Sequence, residues 1–144
     1  MILNSHDPST WMNIAKAETG QKEIVGAETN PRILEYHACT TLSSKDENTP
    51  WCSAFLNWVM KQAGIENTRS AAAKSWALWG QKIDNPQYGC VVVMDHHVGL
   101  FVKEIPLFVC VLGGNQGDQV KESWFRKAKV LSYRWPREIP PQAS

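Results

Sequence analysis

The chain has 144 residues, 43% hydrophobic and 20% charged, proportions that suit one globular domain and exclude long disorder. Its formal net charge of +1 excludes a field strong enough to hold nucleic acid. No apolar run approaches ~18 residues, so no membrane insertion is expected. The N-terminal "MILNSHDPSTW" lacks a basic segment followed by an apolar one, so synthesis in the cytoplasm without a signal peptide is expected. Residues 1–72 carry 6 Lys/Arg against 8 Asp/Glu, and residues 73–144 carry 9 against 6, so the basic excess lies in the second half. A solvated basic face accounts for it.

Three helix starts share one grammar, a capping residue followed by proline at the first helical position: Asp7-Pro8, Asn30-Pro31 and Thr49-Pro50. The first predicts a helix through Trp11, Ile14 and Ala15 that stops near Gly20. The second runs through Ile33, Leu34 and His37, and the third from Pro50 to about Gln62, before Gly64. A fourth helix is expected from about Arg69 to Leu78, closing at Gly80.

After Pro86 the pattern changes to β-branched runs, "CVVVM" (90–94), "HVGLFV" (97–102) and "LFVCVL" (107–112). "KEIP" (103–106) reads as the turn of a hairpin, which would set His97 opposite Leu112. "GGNQGD" (113–118) reads as a glycine-rich turn, followed by weaker strands over 119–124 and 129–135. Helices first and an antiparallel sheet second predict one α+β domain spanning 1–144, with its core at about 11–136.

Cys39, Cys52, Cys90 and Cys110 include no CxxC or CxH pair, so structural zinc is not expected and reduced thiols are. Cys52 stands apart. With Thr49 as N-cap it falls at the third helical position, near unpaired N–H groups and the positive end of the helix dipole, where thiolate is favoured. It also shares a helical face with Phe55, Leu56, Val59, Met60 and Ala63, so a packed cysteine fits the spacing equally.

A cysteine nucleophile needs a base and a group to orient that base. His96 and His97 begin a strand and alternate between its faces, so only one can meet the cysteine. Asn115 leaves the same end of the hairpin, and its carbonyl could fix the imidazole tautomer; Gln116 or Asp95 could do the same.

Cys, His and Asn in this order resemble the papain-fold cysteine peptidases and amidases of the NlpC-like and CHAP superfamily. Within it, the chain looks like a small bacterial and phage family. The resemblance rests on "WMNIAKAETGQKEIVGAETNPRILEYH", "DENTPWCSAFLNWVMKQAGI", "AKSWALWG", "HVGLFV", "VLGGNQGDQV" and "YRWP", from about Trp11 to Pro136. "PWCSAF" and "LGGNQ" are its most specific parts.

The resemblance implies a papain-like fold with catalytic Cys52, His97 and Asn115, no cofactor, and hydrolysis of a peptidoglycan amide. Trp51, Gln116 and Trp79 would then line a substrate groove, although core packing is the more usual use of such tryptophans. Two departures are visible: Gly89-Cys90 where relatives often carry Gly-Asp, and a short loop, "MDHHVG", before the histidine. Action at the wall of a target or host bacterium, after secretion or phage lysis, would follow, and an injected toxin would have an immunity protein as its partner. Two other readings stand: a protein-modifying deamidase or transferase with the same triad, and a non-catalytic module that binds wall or protein.

Overall fold

The computed structural model describes residues 6–24, 29–44 and 50–137. Three helices come first, α1 (Ser9–Ala17), α2 (Pro31–His37) and α3 (Cys52–Gln62), then a 3-10 helix at Ala73–Leu78. Strands β1 (Gln81–Ile83), β2 (Val91–Met94), β3 (Val98–Ile105), β4 (Phe108–Gln116), β5 (Gln119–Arg126) and β6 (Val130–Trp135) follow. They pair antiparallel in one sheet ordered β1-β6-β2-β3-β4-β5, so the fold is α+β with its helices N-terminal to its sheet. No helix among the described residues is long and apolar enough to cross a membrane.

The expected grammar holds at two helix starts. Asp7 accepts the Ser9 N–H at 2.9 Å, and Asn30 accepts the Arg32 N–H at 2.9 Å with Pro31 at the first turn. The third start differs. Helix α3 opens at Cys52 with Trp51 as a cap that makes no side-chain bond, and Thr49 lies outside the described residues.

The centre of the sheet, β2 with the adjoining parts of β3 and β4, is buried on both sides. Val91, Val93, Val98, Leu100 and Leu112 meet the helices, whereas Val92, Met94, Phe101, Val109 and Val111 form a second cluster on the opposite face. That is why β2 is an unbroken apolar run instead of an alternating one. Helix α3 packs on β3 and β4 and against α1 and α2, so it is buried nearly all round.

Within it, the fully buried Asn57 ties down the following loop. Its Oδ1 accepts the Thr68 and Arg69 N–H groups at 2.9 Å each, and its Nδ2 donates to the Ser53 and Ser70 carbonyls at 3.0 Å each. The segment expected to begin a helix at Arg69 is therefore held as a loop, and helical turns start only at Ala73.

Three further expectations are corrected. The β3–β4 turn falls at Pro106–Leu107, not over 103–106, with Ile105 opposite Phe108. A bulge between Phe101 and Lys103 then brings Leu100, not His97, opposite Leu112. "GGNQGD" is not a turn throughout, because β4 continues to Gln116 and only Gly117–Asp118 turn. Strand β1 was not expected. It is a polar three-residue edge strand paired with the end of β6, too short for a period-2 signal.

Candidate active site

The β3–β4 ladder runs from Ile105↔Phe108 to Leu100↔Leu112, and the described register stops there. Beyond it, Gly113 and Gly114 let β4 come close to its surroundings without side chains of their own. A Cβ at Gly114 would sit 2.6 Å from Phe55 Cβ and 2.9 Å from Trp51 Cε3, both at the start of α3. A Cβ at Gly113 would sit 2.5 Å from Gln116 Oε1 and 3.4 Å from His97 Nε2. The glycine pair thus serves close packing, not a turn. Gly114→Ala is expected to lose about 1–3 kcal/mol of stability, because neither Phe55 nor Trp51 can yield. A urea midpoint equal to that of the wild type would refute this.

The first turn of α3 carries Cys52, which retains 5% of its surface. It stands at the first helical position, two places earlier than the expected Thr49 cap implied. Burial is the largest influence on its thiol and lifts its pKa above the ordinary 9.0. The backbone N–H groups of Val98, Ser53 and Cys52 itself, close to the sulfur, work in the other direction. The expectation that the helix start favours thiolate is corrected accordingly: desolvation outweighs the N–H groups and favours the neutral thiol.

Val98 follows His97, so the N–H group that meets the sulfur belongs to the residue next to the imidazole. His97 is half-buried, and its Nε2 lies 2.8 Å from Gln116 Oε1. The tautomer follows from the rest of Gln116, whose Nε2 donates to the Val111 carbonyl at 3.0 Å and the Lys121 carbonyl at 2.6 Å. Both amide hydrogens are committed, so Oε1 faces the ring and His97 Nε2 carries the proton. Nδ1 is then the nitrogen with the lone pair. Phe125 stacks on the ring at 5.3 Å, with 28° between the planes. Among the described residues, no hydrogen bond joins His97 to the Cys52 sulfur.

Burial lowers the His97 pKa below its ordinary 6.5, against the upward pull of the Gln116 bond. As pH falls, the unfolded chain takes up this proton first. The stability this histidine contributes is therefore complete above about pH 6.5 and is lost between there and its lower folded value. Thermal melts from about pH 8 to about pH 5 should show a decline that His97→Gln makes shallower. Parallel slopes for the two proteins would rule this out.

The other expected site residues fall elsewhere. Asn115 has a left-handed backbone, φ +57°, and its side chain makes no hydrogen bond among the described residues. The structure brings Gln116 to His97 in its place. Gln116 is 5% exposed with its whole amide engaged, so it is not a groove residue. Trp51 is fully buried, stacked on Tyr36 with its Nε1 toward Glu23, and Trp79 packs on Trp76 with its Nε1 on the Glu66 carbonyl. Both tryptophans are core.

His96 is exposed and paired with Asp95, which also meets Lys74, so neither Asp95 nor His96 orients His97. Among the described residues, no three His, Cys, Asp or Glu side chains are grouped to hold a metal. Phe125 and the Val98 N–H were missed, and no local pattern marks either. No family model and no curated protein matches this sequence.

Proposed function

We propose that the protein is a cysteine hydrolase of papain-like, NlpC/CHAP type that cleaves an amide bond in the stem peptide of bacterial peptidoglycan. Cys52 is the nucleophile, His97 the base and Gln116 the orienting group. The observation that carries this reading is the Gln116–His97 bond at the strand end where the Val98 N–H meets the Cys52 sulfur.

Because thiol and imidazole both rest neutral, the nucleophile forms during attack. His97 Nδ1 takes the Cys52 proton as sulfur bonds to the substrate carbonyl. The N–H groups at the start of α3 supply donors for the oxyanion. The imidazolium then protonates the leaving amine, and the C–N bond breaks to leave a thioester. Water, deprotonated by His97, attacks the thioester and releases a carboxylic acid and the free thiol.

This chemistry needs no cofactor. The substrate lies outside the cytoplasm, so the enzyme acts at the wall of a target or host cell after secretion or lysis, and an injected form would need an immunity protein.

One observation favours a second reading. The raised thiol pKa and the missing sulfur–imidazole hydrogen bond also suit a module that binds wall or protein without cleaving it. Purified peptidoglycan incubated with the wild type and with Cys52→Ala, followed by mass spectrometry of the released fragments, separates the two. Fragments from the wild type alone support hydrolysis, and their masses name the bond. No fragments from a folded wild type would sink the wall hydrolase and leave binding or a protein substrate.

A further inference from the structure

Where α2 ends and α3 runs out, the surface forms a cavity of about 350 Å³ whose walls include Cys39, Thr41, Lys61, Asn67 and Arg69. Among the described residues, no acidic side chain lines it. Lys61 and Arg69 enter no ion pair among the described residues. Asn67 Oδ1 accepts the Arg69 N–H at 3.1 Å, and among the described residues its two amide hydrogens make no hydrogen bond. The groups on offer are therefore donors and positive charge.

Arg69 is also held in an unfavourable conformation. Its φ of +57° lies in the left-handed region, which costs energy for any residue with a Cβ. Two contacts impose it: the Arg69 N–H donates to the buried Asn57 Oδ1 at 2.9 Å, and its carbonyl accepts the Thr41 N–H at 2.8 Å. The loop is thereby fixed, with Arg69, which enters no ion pair among the described residues, lining the cavity. A second hollow of about 330 Å³ shares Cys39 and Lys61 with the first and is also lined by Trp58, Arg32 and Glu35. The Arg32 guanidinium lies over the Trp58 ring and pairs with Glu35, so among the described residues this hollow offers no free cation of its own.

We propose that this cavity is a binding site for an oxyanion, the carboxylate or phosphate group of a small ligand, held by Lys61 and Arg69 with Thr41 and Asn67. It is separate from Cys52. Lys61 stands nine residues further along α3, about 13 Å of helical rise and roughly half a turn round the axis.

The test is an amide NMR titration of the full chain with inorganic phosphate and, separately, with succinate, each against chloride at equal ionic strength. Saturable shifts at Thr41, Asn67 and Arg69 with either anion are expected. Phosphate alone would assign the site to phosphate esters, and succinate alone to carboxylic acids. Lys61→Gln and Arg69→Gly should each weaken binding by about tenfold, and glycine keeps the positive φ so that the loop survives. Cys52→Ala should bind as the wild type does, whatever its activity toward the wall. Shifts no larger than those with chloride, shifts unchanged in both cavity variants, or shifts lost in Cys52→Ala would each overturn the proposal.

Discussion

Cys52→Ala is expected to reduce the release of wall fragments to the uncatalysed background, a loss of about 10⁴-fold or more. The magnitude follows from the proposed chemistry, in which no neighbouring group can replace the sulfur in forming the thioester. His97→Ala should fall to a similar level, and the double variant no further, because nucleophile and base act as one unit. The folds should survive, since removing one sulfur from a site that is already 5% exposed costs about 1 kcal/mol. Initial rates on purified peptidoglycan, with thermal melts of each variant, measure both effects. A folded Cys52→Ala variant retaining a tenth of the wild-type rate would remove Cys52 from the mechanism.

Gln116→Ala should show the second largest effect, on stability and activity together. It leaves the Val111 and Lys121 carbonyls without the amide hydrogens that reach them at 3.0 and 2.6 Å, and takes the acceptor from His97 Nε2. Unsatisfied buried acceptors predict a loss of about 2–4 kcal/mol in denaturant unfolding. Loss of the oriented tautomer predicts a fall in kcat/KM of about 10²-fold or more.

Gln116→Glu separates the two roles. It keeps an acceptor for the ring but has no hydrogens for the carbonyls, and its charge favours the imidazolium. The acid limb of kcat/KM should therefore move to higher pH than in the wild type. Wild-type stability in Gln116→Ala would show that Gln116 does not secure the end of β4, and an unmoved acid limb in Gln116→Glu would show that it does not set the charge state of His97.

Much of the frame was legible because it depends on local chemistry. Asn30-Pro31 marks the start of α2 by a hydrogen bond that spans two residues, and the structure forms that bond. "VVVM" reads as a buried strand because β-branched residues suit a pleated surface, and β2 is buried on both faces. The period that groups Cys52 with Phe55, Leu56, Val59 and Met60 likewise marks the helix and its buried side.

The candidate site was legible only in part. Cys52 and His97 stand out as residue types in suggestive places, yet the partner of His97 depends on details the sequence does not carry. The turn at Pro106–Leu107 and a one-residue bulge at Val102 together set the hairpin register, and with a left-handed backbone at Asn115 it is Gln116 that meets His97. Trp51 and Trp79 were groove candidates beside the motif with core packing as their more usual use, and they are core, because large aromatic surfaces are buried wherever elements converge.

The sequence by itself determined the α+β order, two of the three helix starts, the buried strands and the pair of residues worth testing. Each is set by interactions within a few residues or by simple periodicity. Only the tertiary structure decided the register of β3 on β4, the pairing of His97 with Gln116 instead of Asn115, and the upward shift of the Cys52 thiol pKa. The last is the clearest case. The helix start favours a thiolate locally, but a sulfur packed between α3 and the sheet loses its water, and desolvation is a property of the whole fold.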